Sequence, residues 1–208
     1  MTVDPLFASL LTELGTLAAA HHAGDVDNRG HVEAVKAVLR RHPTEAFAEM
    51  AAQAPAVDDN GWVKALHVEE RFSVTTLQLP EGERIALHDH PQMTGVLLGL
   101  GGRARIHMFD MVDDRDDEVT LSTGPVHTVG AGDLAHLLPD EHNLHLLVGE
   151  EASFMLDVFT PPYRDEVPRR WFRFADDVEV RVDDAVGTKR RALVTEPQYA
   201  SVGSIQLR

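Results

Sequence analysis

His88 and His90 stand two residues apart in the run Leu87-His88-Asp89-His90-Pro91-Gln92-Met93. On an extended strand, residues i and i+2 share a face with Cα atoms ~6.5–7 Å apart, so two imidazoles can converge on one cation. Such a pair alone, in a chain of twelve histidines, is weak evidence. Its surroundings strengthen it, because a Pro80-Glu81-Gly82 turn opens the segment and places Gly82 six residues before His88. A second cluster runs from Gly132-Asp133 through Leu134-Ala135-His136-Leu137-Leu138 and Pro139 to Asn143-Leu144-His145. This order of turn, strand, proline-led turn and second strand brings His145 towards the interior of the same sheet structure. There is no cysteine. Thiolate zinc sites, iron–sulfur clusters, disulfides and cysteine nucleophiles are therefore excluded, and any metal must rest on histidine and carboxylate.

The elements that must position these residues change character along the chain. Leu6, Leu10, Leu14 and Leu17, with Phe7 and Leu11, recur at helical steps. The polar break Gly24 to Gly30 separates them from a second helical face of Val32, Val35, Val38 and Leu39, which ends before Pro43. Thr44 is predicted to cap a third short helix through Phe47 and Met50. From Trp62 onward, short β-rich runs alternate with turns: 72–79, 95–98, 104–109, 119–121, 126–129, 134–138, 145–148 and 154–159. Their short connections predict an antiparallel barrel or jelly roll rather than βαβ units. Gly99 to Gly102 reads as a hairpin turn, and the acidic stretch Asp110 to Glu118 as an exposed connection. After Tyr163 the chain is polar, with a strand-like alternation at Val178, Val180 and Val182, then the basic turn Lys189-Arg190-Arg191 and a weakly structured tail. The organisation predicted is a helical segment over 1–60 and a β-barrel domain with a C-terminal extension over 61–208.

The balance of 19 Lys+Arg against 34 Asp+Glu, a formal charge of −15, disfavours nucleic acid and anionic lipid as partners. Residues 1–20 carry Asp4 and Glu13 and lack a basic leader, and no run approaches the ~20 apolar residues of a membrane span. A soluble, cytoplasmic protein is expected, either monomer or dimer.

Gly82, His88 and His90 fit the first motif of the cupin superfamily, and Gly132, Pro139 and His145 resemble its second. More narrowly, Leu87-His88-Asp89-His90-Pro91-Gln92-Met93, then Asn143-Leu144-His145, then Leu156-Asp157-Val158 and Pro161-Pro162-Tyr163 resemble the family of cysteamine dioxygenase and the plant cysteine oxidases. The likeness spans about residues 72–163, with the motifs in order. It implies a mainly β cupin barrel (jelly roll) with an N-terminal α-helical segment, acting as a non-haem Fe(2+) thiol dioxygenase. His88, His90 and His145 would hold the iron, and a small thiol or a peptide N-terminal cysteine would react with O2 to a sulfinate. Most cupins add a glutamate three or four residues after the second histidine, where this chain has Met93 and Thr94. Three neutral imidazoles leave a divalent ion at its full charge, which favours an anionic thiolate, and the metal lowers the thiol pKa from ~8.5.

The resemblance also assigns catalytic roles to Asp157 and Tyr163. Asp157 would orient a substrate amine or a ligand, or else satisfy loop amides; Tyr163 would donate to bound oxygen, or else stabilise a turn. His142 and Gln92 stand where the family has glycine. His142 is expected at an exposed turn, the alternative being a ligand or a support for one; Gln92 would narrow the pocket or add a donor. The face taken by His107 is undecided. His127 and His136 are placed on the strand surface or beside the ligands, and His21, His22, His31, His42 and His67 on the surface. Cysteine dioxygenases hold the substrate carboxylate with an arginine, and none can be placed here from the sequence. The thioether crosslink between cysteine and tyrosine that some thiol dioxygenases carry cannot form. Two further readings are another metal-dependent cupin oxygenase and a non-catalytic cupin that binds a metal or small ligand.

Overall fold

Asp4 starts the first helix by accepting hydrogen bonds from the backbone N–H groups of Leu6 and Phe7 at 2.8 and 3.2 Å, and Asp27 caps the second through Gly30 N–H at 2.7 Å. Within residues 4–54, 58–59, 61–115, 117–164, 167–176 and 185–196, which the computed structural model describes, the helices are α1 (Pro5–His22), α2 (Asn28–Arg40) and α3 (Thr44–Gln53). Thr44 is the first residue of α3 rather than its cap. Pro43 takes that place and its carbonyl accepts the first amides, with no side-chain cap. The fixed φ of proline suits a helix start and forbids a helix interior. The predicted apolar faces are buried: Leu10 and Leu14 on α1, Val32, Val35, Val38 and Leu39 on α2, Phe47 and Met50 on α3. No described helix is long and apolar enough to cross a membrane.

Among the described residues twelve strands follow: β1 (Asp58–Asp59), β2 (Val63–Val68), β3 (Ser73–Leu79), β4 (Arg84–Asp89), β5 (Thr94–Gly101), β6 (Ala104–Arg115), β7 (Glu118–Val129), β8 (Leu134–Leu137), β9 (Leu144–Gly149), β10 (Ser153–Thr160), β11 (Trp171–Phe174) and β12 (Lys189–Thr195). One sheet has the order β1-β2-β3-β10-β5-β8; the other runs β11-β12-β7-β6-β9-β4 and closes on itself where Trp171 pairs with His88. The pairings are antiparallel, as the short connections predicted. Three apolar layers result. The helices cover one face of the first sheet, with Val74, Val96, Leu98 and Leu156 beneath them. Leu79, Leu97 and Met155 of the first sheet meet Ile106, Met108 and Leu147 of the second. Phe109, Leu121, Leu144, Phe172 and Phe174 fill the far side of the second sheet. This is the mainly β jelly roll with a helical preface that the sequence predicted.

Several sequence expectations need correction. The acidic stretch is not a loose connection: β6 extends to Arg115 and pairs with β7 as far as Arg115–Glu118. Phe109 is buried and Met111 packs beside it, while Asp110, Asp113 and Asp114 are half-buried or exposed along the same strand. The basic run Lys189-Arg190-Arg191 is strand, not turn, because Arg190 is buried against Asp176 at 3.0 Å and over the Phe174 ring at 3.5 Å. Gly99 and Gly101 belong to β5, so the turn is confined to Gly102-Arg103. The alternation at Val178, Val180 and Val182 lies outside the described residues.

His31 is not a surface histidine. It is buried between α1 and α2, with its ring stacked on His21 at 4.5 Å. Burial, then the neighbouring His21, lowers its pKa from 6.5 to about 4. The folded state therefore resists a proton that the unfolded chain takes up, so stability is fully present above pH 6.5 and falls as pH drops towards 4. His31→Phe, which keeps the ring, is expected to recover about 2 kcal/mol of the loss between pH 7 and 4.5, measured by urea unfolding at both pH values. An unchanged pH slope would show that His31 does not carry the effect.

Candidate metal centre

His88 on β4 and His145 on β9 are direct cross-strand partners, and His90 follows the end of β4. Adjacent antiparallel strands thus bring together residues 55 and more positions apart. The three rings stand 4.6–4.7 Å apart by centroid, and one ligand nitrogen from each lies within 4.8 Å of the others. His90 Nε2 and His145 Nε2 are 3.0 Å apart. Two nitrogens ~2.1 Å from one ion and at right angles would have about that separation. All three histidines are buried. Burial drives the pKa of His88 and His90 well below 6.5 and that of His145 to about 3, so the set is neutral imidazole, the form that ligates. Their fit to a divalent ion rests on this convergence of buried lone pairs. Among the described residues no carboxylate joins the cluster. At the usual glutamate position Met93 packs into the core, and Thr94 Oγ1 donates to the Thr160 carbonyl at 3.0 Å.

Two of the three rings, those of His88 and His90, are held from behind. His88 Nδ1 donates to the Ala86 carbonyl at 2.7 Å, which leaves Nε2 free to face inward. With Nε2 of His90 turned inward, its Nδ1 donates to the Tyr163 hydroxyl oxygen at 2.5 Å. Asn143 fixes the His90 backbone: its Oδ1 accepts from His90 N–H at 3.2 Å, and its Nδ2 donates to the His90 carbonyl at 2.7 Å. The Asn-x-His spacing therefore serves two ligands, one through each end. Asp89, between the first two histidines, points the other way. It accepts from Arg170 N–H at 2.7 Å and from Arg170 Nε at 2.9 Å, tying β4 to the start of β11. Trp171 packs its ring 4.8 Å from that of His88.

The three histidines open onto a cavity with apolar walls such as Leu97, Met108, Leu147 and Phe159. Asp157, Tyr163 and Arg169 also line it. Asp157, half-buried on β10, makes no hydrogen bond to loop amides among the described residues. Burial pushes its carboxyl up to about 7, and the charge of Arg169 works against that rise. Tyr163 does more than stabilise its turn, since its hydroxyl partners His90. Arg169 is the residue sequence reasoning missed: its guanidinium carbon lies 4.0 Å from the Tyr163 ring centroid and 5.3 Å from that of Trp171. The available signal was Arg169-Arg170-Trp171 just beyond Pro161-Pro162-Tyr163, where the chain seemed merely polar.

His142 and Gln92 do not line the cavity. Both have left-handed backbones, with φ of 56° and 62°. Gly82 and Gly132 of the two motifs take the same region at 78° and 84°. Side chains at such positions cost roughly 1–2 kcal/mol. His142 N–H donates to Asp110 Oδ1, which partly offsets this. No such bond is seen for Gln92 among the described residues, so Gln92→Gly is expected to stabilise the protein by about 0.5–1 kcal/mol. A rise in the denaturation midpoint would bear this out and a fall would refute it. His107 is buried on β6, facing away from the cavity that its neighbours Ile106 and Met108 line. His127 and His136 are half-buried outside the cluster, and His136, unlike His127, lines the cavity.

A family model described as PCO_ADO matches residues 31–200. The chain is 32% identical over 122 residues to "Plant cysteine oxidase 2" of Arabidopsis thaliana, covering 55% of this chain and 44% of that protein. It is 31% identical over 101 residues to "Probable 2-aminoethanethiol dioxygenase" of Dictyostelium discoideum, covering 45% of this chain and 46% of that protein. The matches span less than half the length of either relative. A solved RmlC-like cupin from Shewanella frigidimarina aligns at 19% identity with a TM-score of 0.41, covering 56% of this chain and 91% of that one.

Proposed function

The chain belongs to the PCO_ADO family, and from that premise we propose that it is a non-haem iron(II) thiol dioxygenase. The overall conversion is R–SH + O2 → R–SO2H, in which the S–H sulfur gains both oxygen atoms and no further reductant is needed. The observation that carries this reading is the buried set of three neutral imidazoles with no carboxylate among its described members.

His88, His90 and His145 would hold the iron, which supplies a cationic centre where thiolate and dioxygen meet. The chain's own groups do the rest. Ala86 and Tyr163 fix ring orientation through the outer nitrogens of His88 and His90. Asn143 holds the backbone of His90 in place. The apolar walls exclude water and so protect a partly oxidised sulfur from side reactions. Asp157 would take a proton or accept from a substrate N–H, a role supported by burial pushing its carboxyl up to about 7 and by its having no protein donor among the described residues. Substrates in this reading are cysteamine-like or other small thiols, or a peptide with N-terminal cysteine.

The test is anaerobic purification, metal analysis, and O2 uptake with mass spectrometry for a two-oxygen gain. The panel is cysteamine, cysteine, 3-mercaptopropionate and a peptide with N-terminal cysteine. Iron-loaded protein that consumes no O2 with any of them would overturn the reading and leave a binding role.

A further inference from the structure

His142 holds a left-handed backbone, φ 56°, which glycine adopts freely and a histidine does not. Its surroundings over-determine that conformation. The His142 N–H donates to Asp110 Oδ1 on β6, and the ring Nδ1 lies 3.2 Å from Asp110 Oδ2. The ring also covers Gly124 on β7. A Cβ at Gly124 would stand 2.9 Å from Nδ1 of His142, 3.1 Å from its Cε1 and 3.1 Å from the Met108 carbonyl oxygen. Gly124 is buried and its φ is not in the left-handed region, so its own backbone does not call for glycine. The ring above it and the Met108 carbonyl do. The turn anchored in this way leads to two of the three converging histidines. Leu138 N–H closes it on the Glu141 carbonyl at 3.1 Å. Asn143, the residue after His142, donates through Nδ2 to the Leu138 carbonyl at 3.1 Å and to the His90 carbonyl at 2.7 Å. β9 then begins, with His145 as its second residue. Met108, whose carbonyl faces Gly124, is the cross-strand partner of His145. A tie from Arg29 to Glu141 is solvent-exposed at both ends and contributes little.

We propose that His142 is a positioning residue for the metal centre: with Asp110 and Gly124 it locks the 138–143 turn onto β6 and β7, and so fixes the placement of His90 and His145. This rests on the three-histidine metal site of the reading above and not on its thiol chemistry. His142 stands outside the cluster and does not line the cavity, so it acts through its neighbours rather than on the metal. Strain at a non-glycine residue persists where the surrounding contacts hold it, and here those contacts all fix one turn. The turn passes that constraint on at two points, through the Asn143 side chain to the His90 backbone and through the chain itself into β9. Two ligands on different strands are thereby referred to one anchor on a third and fourth.

The experiment titrates cobalt(II) into metal-free wild type, His142→Gly, His142→Asn, Asp110→Ala, Gly124→Ala, the pair His142→Gly with Asp110→Ala, and the pair His142→Gly with Gly124→Ala. Affinity and the visible absorption of bound cobalt(II) report the ligand geometry, and urea unfolding of the same metal-free samples reports stability. His142→Gly is expected to weaken cobalt(II) binding about tenfold, as loss of an outer support of a metal ligand does, and to shift the visible bands. Its unfolding midpoint should hold or rise, because glycine relieves the left-handed backbone. His142→Asn, which tolerates that backbone, should fall between. Asp110→Ala should match His142→Gly, and the two together should lose no more than either alone. Gly124→Ala should weaken cobalt(II) binding by displacing the ring, with a much smaller effect once residue 142 is glycine. Unchanged affinity and spectrum in His142→Gly, with or without a lower midpoint, overturns the proposal, as do fully additive losses in the paired variants. Wild type that binds cobalt(II) but, loaded with iron, takes up no O2 with any thiol overturns the dioxygenase reading and leaves the positioning role to stand or fall on these affinities. Wild type that binds no cobalt(II) overturns both.

Discussion

His145→Ala is expected to lose its metal on purification and with it all thiol-dependent O2 uptake. The ring is buried on β9, directly across from His88, and its Nε2 stands 3.0 Å from that of His90. Removing it leaves two converging donors, and the other potential donors lining the cavity, His136 and Asp157, stand outside the cluster. Loss of an outer hydrogen-bond partner already weakens metal sites by about 10- to 100-fold, so loss of a ligand should exceed that. The fold should survive, because the alanine removes a polar group and relieves the crowding of three imidazoles, at the cost of a small void. Metal analysis, a thermal melt and O2 uptake on the same sample separate these effects. Stoichiometric iron with full turnover would show the ligand set to be wrong.

Asp89→Asn is expected to lower both stability and metal affinity without touching the cavity. The Asp89 side chain is 4% exposed, and Arg170 is its bidentate partner at 34%. Burial pushes the Asp89 carboxyl up, and the Arg170 contacts pull against that rise. Breaking one side of a buried pair costs about 3–5 kcal/mol; with Arg170 partly solvated and keeping Asp114, about 2 kcal/mol is expected. Because the clamp holds the end of β4, where His88 and His90 lie, metal affinity should fall by about tenfold as well. Chemical denaturation gives the first quantity and competition with a chromophoric chelator the second. A stability loss with unchanged affinity would confine Asp89 to joining β4 and β11.

The histidine ligand set was legible because each part has a local signature. The i, i+2 spacing of His88 and His90 needs only strand geometry, and Asn143-x-His145 lies on the neighbouring strand. Left-handed turns explain why Gly82 and Gly132 accompany them. The helices were legible from their 3.6-residue apolar spacing, although Pro43 displaced Thr44 as cap. β11 and β12 were not, because charged residues hid their inward positions. Arg190 looked like part of a basic turn until Asp176 and the Phe174 ring gave its stem and charge a buried place. Arg169 was hidden for a related reason: its role depends on β11 pairing with β4 through Trp171 and His88, a contact 83 residues apart in sequence. His31 was misplaced because polarity predicted exposure where two helices close over the ring.

The adjacent arginines before β11 project to opposite sides of the chain, Arg169 into the cavity and Arg170 onto Asp89. Their order is therefore a matter of phase. A substitution at either position alters one function, but deletion of the exposed Pro168 would shift both by one step and present each arginine to the other's partners. This short surface segment should accept many residue exchanges at Pro168 and very few changes in length. Insertion and deletion scanning across it would separate spacing from identity as the inherited constraint.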